Sequence, residues 1–318
     1  MNELRQTLAK LPNKTHFGLL LLAWVMLFHF LGNSSFGYAS TPSLFSWVGA
    51  VYDSNPDDSL GYLVSPLILA LLYFRQDQWG PLEKQPWVPA LVLLALAVAL
   101  HAAGYLIQQA RVSLVAFGLG VYALTGMLWG RRWMMAVAFP FSLMVFSVPL
   151  TAYTDPLTFP LRLVSTQLAT GFCKWVLNLN LIREGTTVYH ALPGGGRGFE
   201  FEVAAACSGI RSLTVVFLLT LVFGYLQFNT AWRRLVLVLA ALPLALLGNI
   251  IRLTTVFTVG EAWGGEAGKR IETNLGFITF AVALAGVMLL GRWLREPSVP
   301  AATVESTPAA GTPTSHTP

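Results

Sequence analysis

Residues 204–227 read AAACSGIRSLTVVFLLTLVFGYLQ, and this stretch decides the fold. From Leu213 to Gln227 it carries no charge, and its apolar residues lie on all sides of a helix rather than on one stripe. Such a segment is buried in lipid or in a very large core. The chain cannot supply that core. Of its 318 residues 55% are hydrophobic and 11% charged, against about 25% charged in an ordinary soluble domain. Mean hydropathy is +0.61. The composition predicts an all-α integral membrane protein.

Working outward from residue 204, about eight transmembrane helices are expected. They run over 17–33, 59–74, 87–107, 112–130, 133–153, 207–227, 235–257 and 275–292. Each must close its own backbone hydrogen bonds within the bilayer, which is why apolar runs are read as helices. The polar start, 1–16, is expected in the cytoplasm. The run from Phe17 has no cleavage pattern after it and reads as a retained span. Residues 296–318, rich in Pro, Thr, Ser and Ala, read as a disordered cytoplasmic tail. Lys and Arg set the orientation. With both termini inside, eleven fall in inner segments and seven in outer ones, with Arg211 and Arg252 left within spans. The net charge of +5 needs no nucleic-acid partner, only lipid and cytoplasmic loops. Two cysteines, Cys173 and Cys207, are too few for a disulfide framework or a cysteine metal site. No metal or organic cofactor is implied.

The longest outer segment has two parts. Residues 154–181 repeat apolar positions at helical spacing and read as an amphipathic helix on the outer face. GTTVYHALPGGGRGFEFEVAAA then combines a β-like piece, a glycine turn and an alternating FEFEV strand. This predicts a short extracytoplasmic β-like flap leading into the sixth span. Residues 261–277 read as an outer loop with solvated charges.

The candidates for chemistry cluster at the outer ends of the last three spans and in the flap. Cys207 sits where a helix enters the bilayer, and the partial positive charge of a helix N-terminus favours a thiolate. Arg211 lies one turn on, on the same face, and a nearby cation acts in the same sense. Ser208 and Gly209 are small enough to let another chain approach. Arg252, in GNIIRL, costs about 2.5–3.5 kcal/mol if it sits at mid-membrane. It either snorkels to headgroups or serves as a functional cation, with Asn249 one turn before it on the same face. The plainer reading of Cys207 is a small packing residue. No histidine lies between His190 and His316. A cysteine nucleophile often uses a histidine as its base, and the outer-side candidate is His190, in the flap; Glu272, at the approach to the last span, could fold back over the site. His29 and His101 read as interfacial residues bonded to their neighbours, and Cys173 as packing.

ACSGIRSL, then GNIIRL, then NLGFITF resemble the exosortase/archaeosortase family of multipass membrane cysteine transpeptidases, over roughly residues 60–295. The resemblance implies a protease of exported proteins. Its substrates bear a C-terminal sorting tail (PEP-CTERM-like): a Pro-containing motif, a transmembrane helix and a basic cluster. Cleavage would occur at the outer face of the cytoplasmic (inner) membrane, through a thioester resolved by water or by an acceptor amine on an envelope polymer. Cys207 then matches the nucleophile and Arg252 the essential arginine, with Arg211, Ser208 and Asn249 in support. The family's late His falls at Glu272, a departure that leaves the third group open between Glu272 and His190. Three other classes stay open. A secondary transporter would use Arg211 and Arg252 as ion or substrate sites, although no repeated halves are visible. A rhomboid-like serine protease would rest on Ser208-Gly209. A non-catalytic export scaffold would leave Cys207 idle.

Overall fold

The computed structural model describes residues 11–35, 39–192, 196–202 and 210–295, with the side chains of 151–158, 202, 210–212, 272–274 and 276–279 outside the description. Helices α1 (Lys14–Leu31), α2 (Leu44–Ser54), α3 (Gly61–Phe74) and α4 (Gln76–Trp79) come first. Helices α5 (Ala90–Leu106), α6 (Ala110–Trp129) and α7 (Arg131–Ser142) follow, α7 running on as a 3-10 segment, Leu143–Ser147. Helix α8 (Thr151–Trp175) leads into strands β1 (Leu181–Glu184), β2 (Thr187–Ala191) and β3 (Arg197–Glu202). The chain ends in α9 (Ile210–Gln227), α10 (Ala231–Trp263), α11 (Gly265–Asn274) and α12 (Gly276–Trp293).

Among the described residues three helices, α1, α6 and α10, are by themselves long and apolar enough to cross a membrane. Four shorter apolar helices accompany them: α3, α5, the described part of α9, and α12 from Phe280. Three long and four shorter apolar helices do not by themselves confirm the expected eight spans. The fifth expected span, 133–153, is a 12-residue helix with Pro140 inside it that tightens to 3-10 and ends at extended Val148. Val148 precedes Pro149, and the residue before a proline is pushed out of the helical region into extended backbone, so the helix ends there. The bundle's outward surface suits lipid. Leu19, Leu22 and Phe30 of α1 and Val92 and Leu96 of α5 are all exposed.

Two halves make the bundle. In one, Trp24 and Phe28 of α1 pack with Leu44 and Trp47 of α2, Ala97 of α5 and Leu114 of α6. His29 meets the Ser43 hydroxyl at 3.1 Å and His101 meets that of Ser113 at 3.1 Å, so both histidines bond to neighbours, as expected. In the other half, Val216 of α9 packs with Leu237 and Ala241 of α10 and with Ala283 and Val287 of α12. Helix α3 and the 3-10 segment join the halves by packing on Leu218 and Tyr225 of α9.

Helix α8 has the expected apolar stripe: Phe159, Val164, Leu168, Phe172 and Trp175 are exposed. Its other face, with Ser165, Thr166, Ala169, Thr170 and Cys173, is buried. That face lies along α10. The buried Ser165 and Thr166 hydroxyls donate to their own helix at Leu161 and Arg162 carbonyls, 2.8 Å each. The helix is thus clamped to the bundle with its greasy side outward.

The flap is a three-stranded antiparallel sheet in the order β1-β2-β3. Glu184 pairs with Thr187 around a two-residue turn that Gly185 opens at φ 65°, a conformation that glycine reaches without strain. The FEFE alternation is kept: Phe201 is buried, Phe199 half-buried and Glu200 exposed. The segment expected as the outer loop 261–277 is instead the end of α10, a turn at Gly264 (φ 87°) and the ten-residue α11 folded back on α10.

Candidate active site at the sheet end of α10

Helix α10 is the axis of the site. Its 33 residues span about 50 Å at 1.5 Å per residue, well beyond a bilayer core of about 30 Å. The excess is stabilised by packing, not by lipid. Leu253, Val256 and Phe257 join Ala169 and Cys173 of α8, Leu181, Val188 and Phe201 of the sheet, and Leu275 beyond α11 in one apolar cluster. A single buried stripe runs the length of α10, and its only polar members are Asn249 and Arg252.

Asn249 is 3% exposed and Arg252 9%. They lie one turn apart on the same face, so the pairing expected from sequence holds. Neither amide atom of Asn249 has a hydrogen-bond partner among the described residues. Arg252 sits at the foot of the cluster, next to buried Leu253. Helix α11 runs back along α10, and Ile271 and Leu275 both pack in that cluster. The backbone of Glu272 thus lies between two residues of the apolar cluster that also holds Leu253. Its side chain lies outside the described ones, as does that of Arg211 in the first turn of α9. Cys207 and Ser208 fall in 203–209, outside the described residues. That segment joins Glu202, at the end of β3, to Ile210, at the start of α9.

His190 is elsewhere. Its Nδ1 is 2.7 Å from the Glu261 carboxylate, and its ring stacks on Phe199 at 5.5 Å. Glu261 lies nine residues beyond Arg252, about 13 Å along the axis and half a turn around it. The pair fastens the sheet to the end of α10 that carries Glu261. The β2–β3 register slips between Tyr189 and Ala191, at His190, and such irregularities re-aim a side chain.

A second fastening lies beneath. Phe201 fits a notch between Gly260 of α10 and Gly268 of α11. A Cβ on Gly260 would stand 2.6 Å from the ring and one on Gly268 2.4 Å. Only glycine allows so close an approach. Cys173 closes the cluster. It is fully buried, and burial pushes its thiol up to about 11, partly offset by a hydrogen bond with Thr254. It is inert packing, as expected.

Sequence reasoning missed three features: Glu261 as the partner of His190, the Phe201 notch, and α11 as an element. The glycines of GEAWGGEAGKR were the available signal, since glycine on two facing helices marks a close approach. No group of three His, Cys, Asp or Glu able to hold a metal ion occurs among the described residues.

The sequence profile of the family described as transmembrane exosortase (Exosortase_EpsH) matches residues 51–289, about three quarters of the chain. No curated protein and no solved structure matches.

Proposed function

Because the chain belongs to the transmembrane exosortase family, we propose that it is a membrane-embedded cysteine peptidase or transpeptidase. It cleaves C-terminal sorting tails from exported proteins at the outer face of the cytoplasmic membrane. Cys207 is the nucleophile. Its thiolate attacks the scissile carbonyl carbon, the C–S bond forms, and the tail's amine leaves as the C–N bond breaks. Water or an acceptor amine on an envelope polymer then resolves the thioester and returns the thiol. Glu272 takes the thiol proton and passes it to the leaving amine. Arg252, with Arg211, favours the thiolate and stabilises the developing oxyanion, and Ser208 and Asn249 line the approach.

One observation carries this reading. Arg252 is 9% exposed on the polar stretch of the α10 stripe, and β3 and α9 flank in sequence the segment that holds Cys207. A buried guanidinium in an apolar protein is costly to keep, and perturbed or desolvated charges cluster where chemistry occurs. Glu272 is preferred to His190 as the third group. Ile271 and Leu275 on either side of it join the apolar cluster that holds Leu253, whereas His190 is engaged by Glu261.

The test is Arg252→Ala and Arg252→Lys in a host that processes a tagged substrate. Removing one oxyanion donor costs about 2.7–4 kcal/mol, or 10²–10³ in rate. Lys restores charge but not the planar fork, so it should recover only part. Near wild-type processing by Arg252→Ala would end this role for the arginine.

A further inference from the structure

Helices α8 and α9 both pack along α10, yet among the described residues they make little contact with each other. The gap between them has α10 as its floor. A cavity of about 20 Å³ opens there, lined by Leu161 and Ser165 of α8, Leu213 of α9, and Leu242, Leu246 and Asn249 of α10. It holds roughly one water-sized group. Its walls are apolar, and Leu242 at its rim is 48% exposed. The Ser165 hydroxyl is already spent on the Leu161 carbonyl at 2.8 Å. Among the described residues the open polar group is the Asn249 amide, 97% buried by its 3% exposure, with neither its oxygen nor its nitrogen partnered. Leaving a buried amide unpaired is costly, so a group outside the described residues is expected to meet it.

We propose that this cleft receives the membrane-spanning tail of the substrate, and that Asn249 caps the N-terminus of the tail helix. The proposal rests on the peptidase reading above and adds the recognition step. A peptide bond inside a helix has its carbonyl bonded and is hidden from a nucleophile. The scissile segment must therefore be unwound, and the tail helix can begin only after it. A helix start leaves its first backbone N–H groups without partners. In lipid no water is at hand to meet them, so each must find a protein acceptor. Asn is among the best residues for this, since its side-chain oxygen accepts from the first turn. Asn249 Oδ1 accepts one such N–H from a chain lying across the cavity mouth. The unwound residues just before it then lie one turn further along α10, at the level of Arg252. Recognition of the tail and placement of its scissile bond are thereby the same contact.

A photo-crosslinking residue at Leu246, or at Leu242 should Leu246 not fold, tests occupancy in the Cys207→Ser protein, which would hold a tagged sorting-tail substrate uncleaved. The control position is Leu247, on the opposite face of α10. The expected result is a crosslink to the tail from 246 or 242 and none from 247. Crosslinks to lipid alone, or none, would overturn the inference, while Cys207-dependent processing in the parent protein would leave the peptidase reading standing. If processing ignores Cys207, both fall. Chemistry at Asn249 is tested by substitution. Asn249→Leu should slow processing by roughly five- to tenfold or more, and Asn249→Asp, which keeps the acceptor, should restore most of it. A substrate given its own Ser or Asp at the first position of the tail helix should also rescue Asn249→Leu. A merely structural Asn249 would show neither rescue.

Discussion

Substituting Gly260 by Ala should loosen the flap and slow the reaction together. The added Cβ would lie 2.6 and 2.9 Å from two ring carbons of Phe201. Ordinary carbon contacts lie at about 3.5–4.0 Å, so the ring must retreat by about 1 Å. It cannot move toward α11, where a Gly268 Cβ position is 2.4 Å from the same ring. Phe201 must swing outward and take β3 with it. Overpacking of this kind costs about 1–3 kcal/mol. Glu202, the next residue, begins the connection to Cys207. A displacement near 1 Å at a reacting group can cost about 10² in rate. The assay is processing of a tagged substrate beside thermal unfolding of the purified protein. Gly260→Ala should lower the melting temperature by several degrees and processing by more than tenfold. Phe201→Leu, which removes the clashing ring carbons, should recover part of both when added to Gly260→Ala. Wild-type stability and rate in Gly260→Ala would refute the notch as the element that sets the flap.

Three further outcomes are expected. With Cys173 buried and its thiol pushed up to about 11, only about one molecule in 10³ carries that thiolate at pH 8, and the fraction rises only as pH approaches 11. Maleimide at pH 7 should therefore label the native protein once, and Cys207→Ser should abolish the label. Glu272→Gln should reduce processing by about 10²–10⁴, the range for loss of a positioned acid–base group, while Glu272→His keeps substantial activity with a shifted pH profile. A rate unchanged in Glu272→Gln would remove the carboxylate from the chemistry. His190→Ala breaks a partly exposed ion pair worth about 0–1 kcal/mol, so stability and rate should fall only slightly. A loss near 10³ would instead assign His190 to the reaction.

Much of this arrangement was legible in the chain because local pattern and tertiary packing agree. The FEFEV alternation put Phe199 and Phe201 inward. The three-residue spacing of Asn249 and Arg252 put both on the buried stripe. Other elements form only through distant contacts. Helix α2 falls between the first two expected spans, yet Leu44, Trp47 and Val51 pack on α1 and α6, and Ser43 caps it by accepting from the Ser46 N–H at 3.3 Å. GEAGKRIETN has the charge of a loop, but Ile271 anchors it against α10. An isolated helix of that length is marginal in water, so packing decides. The run 133–153 has the hydropathy of a span, and hydropathy does not register the break that Pro149 imposes at Val148. The His190–Glu261 pair joins residues far apart in sequence and leaves no local trace.

The most direct test of the account follows a tagged exported protein with a sorting-like C-terminal tail, by size, in cells that carry either the wild-type chain or Cys207→Ser. Loss of the shortened form with Cys207→Ser, and accumulation of the full-length one, is the predicted result. Equal processing by both chains would contradict the assignment of Cys207 as nucleophile, and with it the proposed function.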